Sequence, residues 1–97
     1  MTVNFKFENL PINIYKEGEM YVVVCHLLDI SGYGNTIDHA KESFGIIFEE
    51  TMNYLIENNL LMKDLEEHGF RFEDHSIYPP TDYSLIGQEN MNMELMV

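Results

Sequence analysis

Val3, Phe5 and Phe7 alternate with Asn4, Lys6 and Glu8. A period of two marks a half-buried strand. The alternation breaks at Asn9, Leu10 and Pro11, then resumes with Ile12 and Ile14 on one face. Pro11 has no amide proton for a ladder, so the break predicts an edge position or a bend. Lys16, Glu17, Gly18 and Glu19 read as a hairpin turn, with the glycine supplying the unusual backbone angle.

The most apolar stretch is residues 21–28. Tyr21, Val23, Cys25 and Leu27 form one face; Met20, Val22, Val24, His26 and Leu28 form the other. Two apolar faces predict a central strand covered on both sides, by a helix on one and a second subunit on the other. Residues 29–33 predict a short third strand, after which Gly32 and Gly34 loosen the backbone before a helix. Thr36 is a good N-cap, and Asp38 suits the first turn of the helix dipole. Ala40, Phe44, Ile47, Thr51 and Leu55 recur at helical spacing, with Phe48, Met52 and Ile56 beside them. Glu42, Glu49, Glu50, Asn53 and Glu57 fall mainly off that stripe. Asn58 and Asn59 end the helix, since Asn tolerates the left-handed conformation.

Leu61 and Leu65 place a short second helix within residues 60–68, and Gly69 stands where its C-terminal cap belongs. Phe70, Arg71 and Phe72 begin a final strand. Beyond Asp74 the periodicity fades. Tyr78, Pro79, Pro80, Thr81 and Asp82 read as a turn or extended spacer. Met91, Met93, Leu95 and Val97 alternate, which fits a strand; a partly disordered tail is the other reading. The expected fold is α+β: a small antiparallel sheet of three to four strands packed on one long helix, in the order β-β-β-α, with a short second helix. Residues 1–76 form the domain and residues 77–97 a C-terminal extension.

Charge sharpens this picture. The 97 residues carry 17 acidic and 5 basic side chains, a formal net charge of −12. Unaided nucleic-acid binding needs a basic footprint, and docking on anionic lipid needs the same. Neither suits this chain, whereas a basic protein partner does, because opposite fields speed encounter. Solubility alone is the plainer account of the acidity. The single cysteine, Cys25, rules out a disulfide within the chain. No leader pattern and no apolar run of membrane-spanning length is present, so a cytoplasmic location is expected.

Candidate chemistry is sparse. Gly32, Tyr33, Gly34, Asn35 and Thr36 follow a strand and open a helix, as a phosphate cradle does. The dinucleotide pattern fails at its third glycine, where Ile37 stands. Cys25 and His26 are adjacent, so in a strand their side chains point to opposite faces and do not form a nucleophile–base pair. His26, His39, His68 and His75 lack metal-ligand spacing. Glu49 and Glu50 diverge on a helix and read as a solvated acidic face. These residues assign no catalytic, cofactor-binding or metal site, and they leave the partner-contacting residues unidentified.

Tyr21, Val22, Cys25, Leu28, Gly34, Asn35, Thr36, Asp38 and Ala40 together resemble the HicB-like family, antitoxins of bacterial toxin–antitoxin pairs. That family pattern is a hydrophobic strand, a short strand, Gly-Asp/Asn-Thr, and an amphipathic helix; Gly69 and Phe70 match the ending of one subgroup. The resemblance spans roughly residues 11–72. His26 replaces the family's usual Pro. His39 stands where Glu is frequent, removing the reciprocal half of a capping box. Many members carry a DNA-binding domain after the helix; residues 77–97 do not show its pattern, so no direct DNA binding is expected.

The resemblance implies a partial ribonuclease H fold without catalytic carboxylates, and a HicA-type toxin, a small basic ribonuclease, as partner. It also points to a homodimer or dimer of dimers. Three functions follow as expectations: a non-enzymatic antitoxin that neutralises such a toxin by occlusion, a stand-alone dimeric scaffold or regulator, or a small nucleotide- or phosphate-binding protein using the Gly32-to-Thr36 corner.

Overall fold

A computed structural model describes residues 4–80 and 89–96. The fold is α+β. β1 (Asn4–Glu17), β2 (Met20–Cys25) and β3 (Ile30–Gly34) precede α1 (Ile37–Glu57) and α2 (Leu61–Glu67). β4 (Arg71–Glu73), β5 (Ser76–Tyr78) and β6 (Glu89–Met96) follow. The sheet has six strands, in the order β3-β2-β1-β5-β4, with β6 also paired to β1. It exceeds the expected three to four strands, and it is mixed, because β5 runs parallel to β1. Val3, Thr81, Asp82 and Val97 lie outside the described residues.

β1 is the trunk. Asn9 adopts a positive φ of 51°, and the pairing with β6 slips between Phe7 and Leu10. Such a bulge resets the alternation. Phe5 and Phe7 before it, and Leu10, Ile12 and Ile14 after it, therefore all turn toward the same core. The bulge is held by the Asn9 N–H, which donates to Asn92 Oδ1 at 2.8 Å. The strand thus runs through Pro11, and the break in the sequence pattern is this bulge. Near its start β1 is flanked on both edges: Lys6 and Phe7 pair with Ser76 and Ile77 of β5, and with Glu94 and Met93 of β6.

β1 and β2 join through a two-residue loop, with Glu17 opposite Met20 and Gly18 at φ 60°. β2 ends at Cys25, earlier than the apolar run suggests, because residues 26–29 form the next turn with Asp29 at φ 55°. β3 then pairs with β2 from Cys25↔Ile30 to Tyr21↔Gly34.

α1 packs on one face of the sheet. Ala40, Phe44, Phe48 and Met52, each four residues apart, are its buried line, with Ile47, Leu55 and Ile56 partly buried beside it. They join Val23, Cys25 and Ile30 in one core, closed by Phe7, Leu65, Phe70 and Ile77. Phe7 meets Phe48 edge-on, with ring centroids 5.1 Å apart. The helix therefore covers the Val23 and Cys25 face of β2, while Val22 and Val24 point away.

β3 approaches α1 backbone to backbone. A Cβ at Gly32 would sit 2.2 Å from Phe44 N, and one at Gly34 would sit 2.4 Å from Ala40 N. The two glycines are close-packing positions, a different role from loosening a loop.

Thr36 caps α1 by accepting the His39 N–H at 3.0 Å. His39 Nδ1 in turn lies 2.8 Å from Asn35 Oδ1, so with its proton on Nδ1 the ring reaches back to the residue before the cap. Asn59, at φ 56°, carries the chain out of the helix. α2 ends in a Schellman arrangement. Gly69, at φ 83°, donates to Glu66 O, and Phe70 N donates to Leu65 O, both at 3.0 Å. Leu65 and Phe70 are both buried there. β4 and β5 form a tight hairpin around Asp74 and His75. The boundary drawn after residue 76 falls inside β5, whose Ile77 is part of the core.

Candidate interaction surfaces

The sheet has an open face, built by the alternation of β1, β2 and β3. Tyr15 lies opposite Val22, which lies opposite Tyr33; Asn13 lies opposite Val24, which lies opposite Ser31. Tyr15 and Tyr33 project from it, 48% and 53% exposed, and Met20 is exposed beside them. Between the tyrosines runs a groove of about 380 Å³ over Val22 and Val24, bordered by Lys16 and Glu17. Tyr15 Oη is 3.3 Å from His26 Nε2, so the polar tip of that tyrosine has a partner on the same face. Once Gly32 and Gly34 are committed to the helix, Tyr33 between them must face outward. That is the signal that finds this surface in the sequence.

The outer face of α1 is of the opposite kind. Glu42, Glu49, Glu50 and Glu57 are all exposed on it, as is Asn53. Ile46 and Tyr54, each 60% exposed, stand among them. Ile46 lies four residues from both Glu42 and Glu50, hence beside both on the helix surface. An apolar side chain ringed by carboxylates is a contact suited to a cationic protein surface. Glu49 and Glu50 are neighbours in sequence but not a carboxyl dyad.

The Gly32-to-Thr36 corner is accounted for by packing and capping. Its glycines serve close approach to α1, and the Thr36 hydroxyl is engaged by His39 N. Asp38 and Asn35 line the shallow hollow there, with Tyr21, Thr36 and Ile37. A carboxylate at that mouth opposes an anion. A separate cleft of about 310 Å³ lies between the two helices and the β4–β5 hairpin; Phe5, Ile56, Leu61, Met62, Phe72 and Ile77 line it, with Asn59 as the polar member.

Cys25 is fully buried. Burial pushes its thiol above the ordinary value of 9.0, outweighing the opposing hydrogen bonds from the backbones of Leu28 and Leu27. His26 is exposed on the other face, so the two do not meet. His39 serves the cap, and His68 Nδ1 lies 2.7 Å from Asp64 O and 3.6 Å from its carboxylate. His75 packs edge-on against Phe5. Among the described residues, no three His, Cys, Asp or Glu side chains converge as metal ligands. No described helix is long and apolar enough to cross a membrane.

Comparison with protein-family models, with curated proteins and with solved structures finds no match for this chain.

Proposed function

We propose that this chain is an antitoxin-like binding protein that neutralises a small basic ribonuclease of the HicA type by covering its RNA-contacting surface. The observation that carries the reading is the outer face of α1. There Glu42, Glu49, Glu50 and Glu57 surround the exposed Ile46 and Tyr54. A basic surface evolved for RNA meets carboxylates there for steering and two apolar side chains for contact. Inhibition of this kind needs no chemistry from the chain, and we assign it no enzymatic activity and no cofactor. The site of action in this reading is the bacterial cytoplasm, without direct DNA contact. The order of strands, corner and helix that resembles the HicB-like family supports the same reading.

The test is a search beside this gene for one encoding a small basic protein, and co-expression with its product; the absence of such a gene counts against the reading. The expected result is co-purification and loss of RNA cleavage by that protein, both weakened by Glu49→Lys with Glu50→Lys. A basic neighbour that cleaves RNA equally well with and without this chain overturns the reading.

A second reading, a stand-alone dimeric scaffold, is favoured by the exposed Tyr15 and Tyr33 on the sheet face opposite α1. The nucleotide- or phosphate-binding reading draws no such support, since packing and capping account for the corner it would use.

A further inference from the structure

We infer that the cleft between the two helices and the β4–β5 hairpin is a binding site for a small neutral aromatic molecule, a fused two-ring system carrying one hydroxyl or similar hydrogen-bonding group.

The cleft follows from a sheet that outgrows its helices. Phe72 lies opposite Ile77, and Ile77 lies beside Phe7. Phe5, two residues before Phe7, therefore shares with them the face that α1 covers. α1 packs over β2 and β3 and ends at Glu57, and α2 has only 7 residues. Together they leave a gap over the hairpin. Ile77 and Leu61 are sealed into the core, but Phe5, Ile56 and Phe72 are only partly buried, and Met62 is 51% exposed. Their open sides meet in a hollow of about 310 Å³.

Size sets the first limit on the guest. Small-molecule sites begin at about 300 Å³, and an apolar cavity of about 150 Å³ holds one benzene. This hollow has room for roughly two fused rings.

Chemistry sets the second. No acid or base lines the cleft, although the chain carries a net charge of −12. A charged guest would lose its hydration there and meet no counter-charge. An anion would also enter against the field of the whole chain. Two phenylalanine rings and a methionine thioether favour an aromatic guest over an alkyl one. Phe5 is steadied by an edge contact with His75, ring centroids 5.8 Å apart. Met62, long and unbranched, adapts to the outline of what enters.

Asn59 supplies the polar contact. Its neighbour Asn58 commits its side-chain amide to Tyr54 O at 2.8 Å. Asn59 donates its backbone N–H to Ile56 O, but its side-chain amide has no hydrogen bond to any described residue. That amide offers both a donor and an acceptor, which suits a hydroxyl. The φ of 56° at Asn59 belongs to the link between the helices, so the turn itself holds the amide beside the cleft.

The site shares no residue with the acidic face of α1, so the inference is independent of the toxin reading. A bound guest ties α2 and the hairpin to the end of α1.

Nuclear magnetic resonance titration of the full isotope-labelled chain with naphthol, naphthalene and naphthalene sulfonate tests it. Naphthol should bind saturably, one molecule per chain, with Kd below about 1 mM. The amides of Ile56, Asn59, Met62 and Phe72 should move most. The sulfonate should bind at least about tenfold more weakly, because its charge finds no partner. Asn59→Gly tolerates the positive φ. It should weaken naphthol about threefold or more, the loss of one hydrogen bond, and leave naphthalene unchanged. Met62→Glu, at a half-exposed position, should keep its circular dichroism and weaken both neutral probes at least about fivefold. Glu49→Lys, on the outer helix face, should alter neither. Absence of saturable naphthol binding up to about 1 mM overturns the inference. So do shifts centred on Tyr15 and Tyr33, and so does binding that neither Asn59→Gly nor Met62→Glu changes in folded protein.

Discussion

Gly32 lies so close to Phe44 that a Cβ on the glycine would meet the phenylalanine's backbone nitrogen at 2.2 Å. The two residues join the third strand to the middle of the first half of α1, and no side chain fits between them. Gly34 repeats the contact one turn earlier at Ala40. Both approaches lie on the face of β3 that α1 covers.

Gly32→Ala is therefore expected to be strongly destabilising. The obstructing atoms are backbone, so they cannot rotate away. The cost should reach at least the upper part of the ~1–3 kcal/mol range for overpacking. Gly45, in the helix that Gly32 touches, supplies the contrast. A Cβ there meets nothing within 4 Å, so Gly45→Ala should stabilise by roughly 0.5–1 kcal/mol, as an interior helical glycine allows. Urea denaturation of both variants checks the pair. Equal effects of the two would contradict the assignment of Gly32 as a packing position.

The same contact explains what the sequence revealed and what it hid. The period of two on either side of Asn9 and the helical stripe from Ala40 to Leu55 make the trunk strand and long helix legible, while Thr36 marks the start of α1 and Gly69 the end of α2. The face of β2 was not legible from β2 itself, because Val22 and Val24 are as apolar as Val23. It becomes legible only through β3, whose glycines must touch the helix and whose Tyr33 must then point away. Phe70 and Phe72 announce β4, but β5, three residues long after Asp74 and His75, is too short for any period to emerge. β6 alternates clearly, but its partner is β1, some 80 residues earlier, and no local signal names a partner at that distance. The bulge at Asn9 looked like an interruption because its effect, resetting the alternation, is visible only once both halves of β1 are seen to face one core.

Phe44→Ala tests the depth of that core. Phe44 is fully buried and its ring stacks toward Phe48, with centroids 6.4 Å apart. Removing a ring from such a site leaves a cavity, and the expected loss is about 3–5 kcal/mol. Thermal or urea unfolding measures it. A loss under about 1 kcal/mol would mean that the helix presents a different face to the sheet.

The N-terminus of α1 rests on Thr36, and its prediction is smaller. Thr36→Ala removes the acceptor of the His39 N–H and should cost about 1 kcal/mol. His39→Ala removes only the contact from the ring to Asn35 and should cost less. If the two losses proved reversed, the imidazole and not the hydroxyl would be the principal cap.

Cys25 offers a test by chemistry and by pH. The thiolate is the reactive form, and burial disfavours it by raising the thiol above 9.0. Alkylation by iodoacetamide at pH 8 should therefore be slow in the native protein and fast in urea. The linkage has a definite sign. Between the unfolded and the raised native value, the folded chain keeps a proton that the unfolded chain has lost, so stability falls as pH rises. The contribution is whole below about pH 9, the unfolded range, and is lost as pH climbs through the native value. Cys25→Ser, which cannot titrate in that range, should flatten this alkaline part of the stability curve while lowering stability throughout, because it buries a hydroxyl. Binding of any partner, corrected for that lower stability, should be unchanged, since Cys25 lies between sheet and helix and reaches neither outer face. A folded Cys25→Ser variant that lost its partner, or a native thiol that alkylated as fast as the unfolded one, would place this residue at a surface and not in the core.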